Sequence, residues 1–218
     1  MIKKIAVILA GCGNKDGAEI TESVSTLIAL SEAGAEYEIF APNIDFSATD
    51  FLTSQPSGET RNVLKEAARI ARGKIRDLKN LNSRDFDALA FPGGFGVALH
   101  LCTWASDGAK CKVNAEAERV INEFYREEKP IAAICIAPVL LARVLGSKGV
   151  TLTIGNDVET AAEIAKTGAR HENCGVDDFC TDRDNRVITT PAYMYDEAKP
   201  FEVYTGIRGA IRELVEMA

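Results

Sequence analysis

Residues 131–138 read Ile-Ala-Ala-Ile-Cys-Ile-Ala-Pro, a short apolar run that ends at Cys135 and leads directly into a helix-forming segment. This pattern is typical of a nucleophile elbow, in which a strand-to-helix turn lifts one side chain out of the edge of a sheet. The N–H groups that open the next helix favour a thiolate over a thiol at that position. Because cysteine is among the most buried residue types, the alternative is an inert thiol in the core.

Strand and helix patterns alternate along the chain on both sides of this segment. Apolar runs predict strands at residues 5–9, 37–41, 87–91, 131–134, 151–154 and 186–190. Periodicity predicts helices at residues 18–33, 62–72, 115–128, 137–145 and 157–167, the last capped by Asn156 or Asp157, and a final helix from about Lys199. This alternation implies a parallel sheet, so we expect an α/β sandwich in one domain, residues 1–218, with a small insertion around 43–83.

The composition argues against several classes of function. A formal net charge of -7 without a basic stripe speaks against a nucleic-acid partner, and no stretch approaches the roughly 20 apolar residues of a membrane helix. The six cysteines form no Cys-x-x-Cys pair, and we predict neither a metal nor a cofactor. Reduced thiols are the default, and we assign a structural role to four of them. These are Cys102, Cys111, Cys174 and Cys180.

Three loops are predicted to meet at the carboxyl ends of the strands, where parallel sheets form their ligand crevices. They are residues 11–19, residues 92–96 and the turn at Cys135. The glycines of the second loop can turn their N–H groups outward, because no side chain stands in the way. The N–H groups of Gly94 and Ile136 are therefore candidate donors to an oxyanion.

Glu19 in the first loop allows two interpretations. Asp16-x-x-Glu19 is a capping-box pattern, in which the glutamate only satisfies the N-terminus of a helix. Alternatively, its carboxyl group hydrogen-bonds the Cys135 sulfur and moves protons in the crevice.

These motifs resemble those of a known superfamily. Pro92-Gly93-Gly94-x-Gly96, followed by Ala133-Ile134-Cys135-x-x-Pro138 and preceded by Gly17-x-Glu19, resembles the PfpI-like (DJ-one) superfamily. Gly11-Cys12-Gly13, residues 59–64, Val176-Asp177 and residues 189–193 are similar to its ElbB-like family, known as isoprenoid-biosynthesis or enhancing-lycopene-biosynthesis proteins. The resemblance implies a three-layer, flavodoxin-like sandwich of the class I glutamine amidotransferase type, with helices on both faces of a mostly parallel sheet.

The resemblance also implies a role for individual residues. Cys135 would be the nucleophile, Glu19 its acid–base partner, and Gly94 and Ile136 the oxyanion donors. Superfamily members convert methylglyoxal or glyoxal to hydroxy acids without glutathione or metal, and ElbB-like proteins have been assigned such a glyoxalase activity. The implied assembly is a homodimer, and the implied location is the cytoplasm, or the mitochondrion for a processed eukaryotic relative.

The chain departs from the superfamily at the histidine of the usual triad. Members place it directly after the cysteine or about twenty residues later, where this chain has Ile136 and, near the second position, Gly155. His100 and His171 are the only histidines, and each is a candidate for an accessory role. His171-Glu172 lacks the His-x-Glu spacing of class I glutamine amidotransferases, which argues against a glutaminase.

Cys12 and the overall function each leave alternatives open. Cys12, in the first loop, is either an accessory thiol or a small residue packed between two glycines.

The favoured function is a cofactor-independent glyoxalase acting on small 2-oxoaldehydes, with slow turnover because the triad histidine is missing. The alternatives are a redox sensor in which Cys135 oxidises to sulfenic or sulfinic acid, and a binding module for a carboxylate or phosphorylated metabolite.

Overall fold

A computed structural model describes residues 2–218 as a three-layer arrangement built on one main sheet. The strands are β1 (Lys4–Ile8), β2 (Glu36–Ala41), β3 (Asp45–Thr49), β4 (Pro56–Asn62), β5 (Ile75–Asp77), β6 (Ala88–Phe91), β7 (Ile131–Ile134), β8 (Thr151–Leu152), β9 (Arg170–His171), β10 (Cys180–Asp182) and β11 (Val187–Thr190). The main sheet has the order β10-β11-β7-β6-β1-β2-β5. Its neighbouring strands are parallel, except that β10 runs antiparallel to β11.

The centre of the sheet is formed by β11, β7, β6 and β1. Nearly every residue of these four strands is buried. Continuous burial of this kind is expected where helices cover both faces of a parallel sheet, and it explains why these strands read as apolar runs rather than as alternating patterns.

Within residues 2–218, seven α-helices flank the sheet. They are α1 (Ile20–Glu32), α2 (Val63–Ile70), α3 (Trp104–Asp107), α4 (Ala115–Arg126), α5 (Pro138–Leu145), α6 (Val158–Ala165) and α7 (Pro200–Met217). Helices α1, α2 and α7 contribute to the hydrophobic core on one face, and α4, α5 and α6 to the core on the other. The predicted α/β sandwich with a mostly parallel, flavodoxin-like sheet is thereby confirmed. No helix within residues 2–218 is both long enough and apolar enough to cross a membrane.

The segment expected to be an insertion, residues 43–83, divides into two parts. Strands β3 and β4 form a separate antiparallel hairpin. Helix α2 and strand β5 instead continue the main architecture, since β5 pairs with β2 at the edge of the main sheet. The sequence did not predict the hairpin because β4 is exposed along almost its whole length and therefore carries no alternating apolar signal.

Several predicted elements are shorter than expected, and three further short strands were not predicted. The strand expected at residues 151–154 is only β8, which pairs with β9 outside the main sheet. The missed strands β5, β9 and β10 have two or three residues each, too few to produce a periodic signal. Asp157, one of the two candidate caps, is the N-cap of α6.

Candidate functional site

Cys135 lies at a sharp turn between β7 and α5. Its backbone has φ of +60°, an unusual value for a residue other than glycine. Its N–H group donates to the Thr190 carbonyl at 2.9 Å, so β11 holds the turn in place. The side chain is 7 % exposed, which leaves the sulfur at the bottom of a crevice. The segment therefore has the geometry of the predicted nucleophile elbow.

The two predicted oxyanion donors both lie at the Cys135 sulfur. The N–H groups of Gly94 and Ile136 face the sulfur closely enough to lower the pKa of its thiol. One comes from the loop after β6 and the other from the residue that follows the nucleophile. Two backbone donors held at one point can stabilise negative charge on an atom bound there.

The carboxyl group in contact with Cys135 belongs to Glu22, in the first turn of α1. Its carboxyl oxygen and the Cys135 side chain lie side by side against Gly93, and each group influences the pKa of the other. Its oxygens also accept N–H groups from the backbone, Oε2 from Gly93 at 3.0 Å and Oε1 from Tyr193 at 3.2 Å. The Glu22 side chain is fully buried. Three segments that are distant in sequence thus meet at one carboxyl group.

Gly93 makes the close approach of Glu22 and Cys135 possible. A Cβ atom at this position would lie 2.5 Å from the Cys135 Cβ and 2.7 Å from Glu22 Oε2. Real Cβ atoms do not approach other atoms so closely, so a side chain here would push the pair apart. The Gly-Gly sequence after β6 is thus required by the packing of the site.

Burial dominates the electrostatics of this pair. It raises the pKa of the Cys135 thiol well above its usual range, and the charge of Glu22 raises it further. Burial and the nearby charge of Glu19 raise the pKa of Glu22 to about 8. Two adjacent buried negative charges repel each other strongly, so the pair retains a proton at neutral pH. The expectation of a free thiolate at Cys135, based on the helix N-terminus alone, is wrong.

Glu19 satisfies the N-terminus of a helix, as one of its two interpretations expected. It is itself the N-cap of α1, where its Oε2 accepts the Glu22 N–H at 2.6 Å. The capping-box pairing with Asp16 is wrong, because the Asp16 carboxylate accepts the Thr49 N–H at 2.6 Å and does not cap α1. Glu19 nevertheless lines the same cavity as Cys135. Partial burial raises the pKa of its carboxyl group, so a proton-transfer role for Glu19 stays a prediction.

The two histidines are held away from Cys135 by other contacts. The His100 Nε2 lies 2.8 Å from the Asp16 carbonyl oxygen, and its ring packs on that of Phe46. The His171 Nε2 accepts the Ile154 N–H at 3.3 Å. Burial lowers the pKa of both imidazoles. Neither is among the residues that line the cavity around Cys135 within the described chain.

In the superfamily, the triad histidine can lie about twenty residues after the cysteine, near the position of Gly155 in this chain. An aromatic ring fills the space beside Gly155. Gly155 has φ of +83°, and a Cβ atom there would lie 2.9 Å from Cε2 of Tyr195. A histidine could not occupy this backbone position without displacing Tyr195 and Pro191. The packing of this loop therefore leaves no room for a histidine side chain at residue 155.

The other cysteines lie outside the contacts of the pair. Cys12 is half-buried, and burial raises the pKa of its thiol. Cys102, Cys111 and Cys180 are buried, in agreement with a structural role, whereas Cys174 is only partly buried. Burial raises the pKa of Cys102 to about 12 and that of Cys174 to about 11.

The three predicted crevice loops do meet at one cavity of about 550 Å³. Cys135, Gly94 and Ile136 lie on its floor and wall together with a set of polar, acidic and aromatic residues. The remaining lining residues are Asn14, Glu19, Phe95, Asp157, Thr160, Tyr193, Met194 and Asp196. A cavity of this size accommodates a small organic molecule.

Comparison with known proteins assigns the chain to a family. The model of the DJ-1/PfpI family matches residues 3–194. The chain belongs to the DJ-1/PfpI family. It is 46% identical to the human glutamine amidotransferase-like class 1 domain-containing protein 3, mitochondrial, over 98% of this chain and 83% of that protein.

Solved structures agree with this assignment. An isoprenoid biosynthesis protein with an amidotransferase-like domain from Ehrlichia chaffeensis superposes with a TM-score of 0.92 at 36% identity, covering 99% of each chain. The Drosophila melanogaster DJ-1beta structure matches with a TM-score of 0.55 at 19% identity, over 99% of this chain and 97% of that one. The second likeness concerns the fold alone. The fold is thus that of the DJ-1/PfpI and glutamine amidotransferase-like proteins.

The raised pKa of Glu22 predicts a specific dependence of stability on pH. The unfolded carboxyl group ionises above pH 4.5, whereas the folded one keeps its proton until about pH 8. The contribution of Glu22 to the free energy of unfolding is therefore largest below pH 4.5. It falls as the pH rises to 8, by an amount of the order of 4 kcal/mol. Glu22→Gln removes this titration.

We expect the melting temperature of Glu22→Gln, relative to that of the wild type, to increase steadily between pH 5 and pH 8. Glutamine has one acceptor oxygen for two N–H groups, which adds a loss of stability that does not depend on pH. Glu36→Gln, at an exposed site, is the control. A difference between Glu22→Gln and wild type that stays constant with pH would contradict the buried, protonated carboxyl group.

Proposed function

We propose that this protein is a cofactor-independent glyoxalase that converts small 2-oxoaldehydes such as methylglyoxal or glyoxal to 2-hydroxy acids. One observation carries the proposal. The Cys135 side chain lies beside a buried carboxyl group, Glu22, and the backbone N–H groups of Gly94 and Ile136 act on its sulfur. These are a nucleophile, a proton acceptor and an oxyanion site at the floor of one small cavity.

The first step is addition of the thiol to the aldehyde. A bond forms between the Cys135 sulfur and the aldehyde carbon, the C=O π electrons move to oxygen, and the thiol proton passes to the ionised form of Glu22. With a pKa of about 8, this form is a minor fraction at neutral pH and grows as the pH rises. The Gly94 and Ile136 N–H groups stabilise the resulting oxyanion. Protonation of that oxygen gives a hemithioacetal.

The later steps transfer a proton between two carbons. A carboxylate removes the hydrogen from the carbon bound to sulfur, and the neighbouring ketone carbon receives a proton, which leaves a hydroxyacyl thioester. Water then releases the 2-hydroxy acid and returns the thiol. The aldehyde carbon is oxidised and the ketone carbon reduced, so one water is consumed and no external oxidant is needed. Glu19 lines the cavity and is our candidate for moving the carbon proton.

The relatives support a narrower placement within the family. The Ehrlichia chaffeensis protein is named as an isoprenoid biosynthesis protein, which agrees with the ElbB-like motifs of this chain. The human relative is named as mitochondrial. For a glutaminase, the contacts of His171 are unfavourable, because its Nε2 is used by the Ile154 N–H. We therefore place the chain in the ElbB-like group and favour glyoxalase over glutaminase chemistry.

The redox and ligand-binding alternatives have less support from the site. Peroxide reacts with thiolates, and burial together with Glu22 raises the pKa of Cys135. A carboxylate or phosphorylated ligand is disfavoured because Glu19, Asp157 and Asp196 line the cavity. We therefore rank both alternatives below the glyoxalase function.

Activity assays test the proposal directly. The purified protein is expected to form lactate from methylglyoxal, and Cys135→Ser to form none above background. Glu22→Gln should lower kcat by about 100- to 10,000-fold, the usual range for losing a general acid or base. In the wild type, kcat/KM should rise with pH up to about 8, as the pair loses its first proton.

The control is Glu36→Gln, which removes an exposed carboxylate at the other end of the sheet and should leave kcat unchanged. Enantiomeric excess of the lactate gives a second readout, because a proton transfer directed by the protein produces one enantiomer. Equal lactate formation by the wild type and by Cys135→Ser would refute the proposal.

We also propose that two copies of the chain associate through α1. Ile20, Val24 and Ile28 recur every fourth residue on this helix and are 49%, 40% and 50% exposed. The buried face of the same helix carries polar side chains instead, including Glu22 and Thr26. An exposed apolar stripe on a helix whose inner face is polar suggests that the stripe is covered by another protein surface. Because the resemblance in the sequence motifs implies a homodimer, we take a second copy of the chain as the proposed occupant.

Light scattering after gel filtration tests this association. The wild type is expected at twice the chain mass of 23.5 kDa, and the double variant Val24→Glu/Ile28→Glu at one chain mass. Val158→Glu introduces the same charge at a valine that is 79% exposed on α6 and should leave the dimer intact. A wild-type mass of 23.5 kDa at micromolar concentration would be incompatible with the dimer.

A further inference from the structure

The charged residues of the cavity around Cys135 all have the same sign. Glu19, Asp157 and Asp196 line it. Within the part of the chain that the structure describes, no lysine, arginine or histidine is among the lining residues. The buried Glu22 lies directly behind the nucleophile and becomes a further negative charge once it ionises. The cavity therefore presents a negative potential to any molecule that reaches Cys135.

The three lining carboxyl groups come from three different segments. Glu19 caps α1. Asp157 caps α6, where its Oδ1 accepts the Glu159 N–H at 3.1 Å and its Oδ2 accepts the Thr160 hydroxyl at 2.7 Å. Asp196 is exposed and lies beyond the turn that follows β11. The N-terminal dipole of α6 offsets part of the Asp157 charge, whereas Asp196 lies at no helix terminus. Asp196 is therefore the most exposed and least compensated charge of the rim.

Aromatic side chains line the same cavity. Phe95, which is 48% exposed, and the partly buried Tyr193 both belong to the lining. Aromatic faces attract ammonium and guanidinium groups through the ring quadrupole, most strongly where water is partly excluded. Aromatic faces combined with carboxylates, without a competing lysine or arginine, are the chemical environment that a cation prefers. This observation is independent of the carboxyl groups and points to the same ligand charge.

We propose that the crevice selects carbonyl substrates that carry an ammonium or guanidinium group over anionic ones. The inference rests on the proposed function and specifies the substrate class of that site. The cationic group lies against Asp157, Asp196 and the aromatic faces while the aldehyde carbon reaches Cys135. The same charges repel the anionic product of a neutral aldehyde, and its release is thereby favoured. Neutral methylglyoxal remains a substrate, and anionic aldehydes such as glyoxylate are discriminated against.

The effect should be large enough to measure in rates. Clefts lined by charges of one sign raise the on-rate of oppositely charged reactants by roughly 10- to 1,000-fold, and salt reduces the effect. We therefore expect a cationic reagent to reach Cys135 at least about tenfold faster than an anionic reagent of equal intrinsic reactivity.

A matched pair of methanethiosulfonates measures this preference without any turnover. One reagent carries a trimethylammonium-ethyl group and the other a sulfonatoethyl group. The modification rate at Cys135 is followed by mass spectrometry of its peptide, which separates it from the other thiols. Each rate is divided by that of the same reagent with 2-mercaptoethanol. The corrected ratio of cationic to anionic rates should be at least about tenfold at low salt and should shrink as salt is added.

Charge-removing variants locate the source of the preference. Asp157→Asn keeps an acceptor oxygen for the cap of α6, and Asp196→Asn changes an exposed side chain. The double variant should reduce the corrected ratio several-fold. Glu36→Gln/Asp184→Asn removes two exposed carboxylates at the opposite end of the sheet and should leave the ratio unchanged. Asp196→Asn alone provides the test if the double variant folds poorly.

The outcomes separate this inference from the proposed function. A wild-type ratio near one, or a ratio that the double variant leaves unchanged, overturns the charge selectivity even if methylglyoxal is turned over. A clear preference for the cationic reagent supports the selectivity. If that preference occurs together with a lack of lactate formation, the glyoxalase function alone is contradicted.

Discussion

The carboxyl group of Glu22 is the contact on which the rest of the site depends. It is fully buried, accepts the Gly93 and Tyr193 N–H groups, and lies beside the Cys135 side chain. Helix α1, the loop after β6, the elbow after β7 and the turn after β11 are therefore held in register by one side chain. A buried carboxyl group without partners would be strongly destabilising. The site reduces that cost by supplying an N–H donor to each oxygen and by raising the pKa until the group keeps its proton.

Much of this arrangement could be predicted from the sequence, because the signals are local. The continuous apolar runs of the central strands gave the parallel sheet, and the Gly-Gly turn with the thiol at the strand end gave the two backbone donors, Gly94 and Ile136. Those features depend on one strand and the turn after it. The crevice followed from the rule that parallel strands end at the same edge.

The partner of the thiol could not be deduced in the same way. Glu19 and Glu22 are one helical turn apart, and the choice between them depends on where α1 begins. Since Glu19 is the N-cap, Glu22 rather than Glu19 faces the sheet. One signal was available: Glu22 has the helical phase of Thr26 and Ala29, which are buried, and an ionisable residue on a buried face is a functional candidate. The pKa of Cys135 was mispredicted because the sequence shows only the local helix N-terminus, whose electrostatic effect has a short range. Burial, which raises the pKa most, depends on the whole fold.

The same buried pair explains how a DJ-1/PfpI protein can lack the triad histidine. Tyr195 and Pro191 fill the space beside Gly155, so the chain has no room for an imidazole there. A carboxyl group whose pKa is raised to about 8 holds a proton in the pH range where histidine usually works. In the proposed mechanism Glu22 acts as the base and the acid, and in the proposed selectivity the acidic crevice above it favours cationic molecules.

Carbon-13 NMR of the glutamate side chains tests the central claim most directly. With Glu22→Gln used to assign the signal, the Glu22 carboxyl resonance of the wild type should titrate with a midpoint near pH 8. The midpoint should shift in Cys135→Ala, because the thiol contact is lost. A Glu22 resonance that titrates near pH 4.5 would contradict the account, since it would mean that the carboxyl group is ionised and does not share a proton with Cys135 at neutral pH.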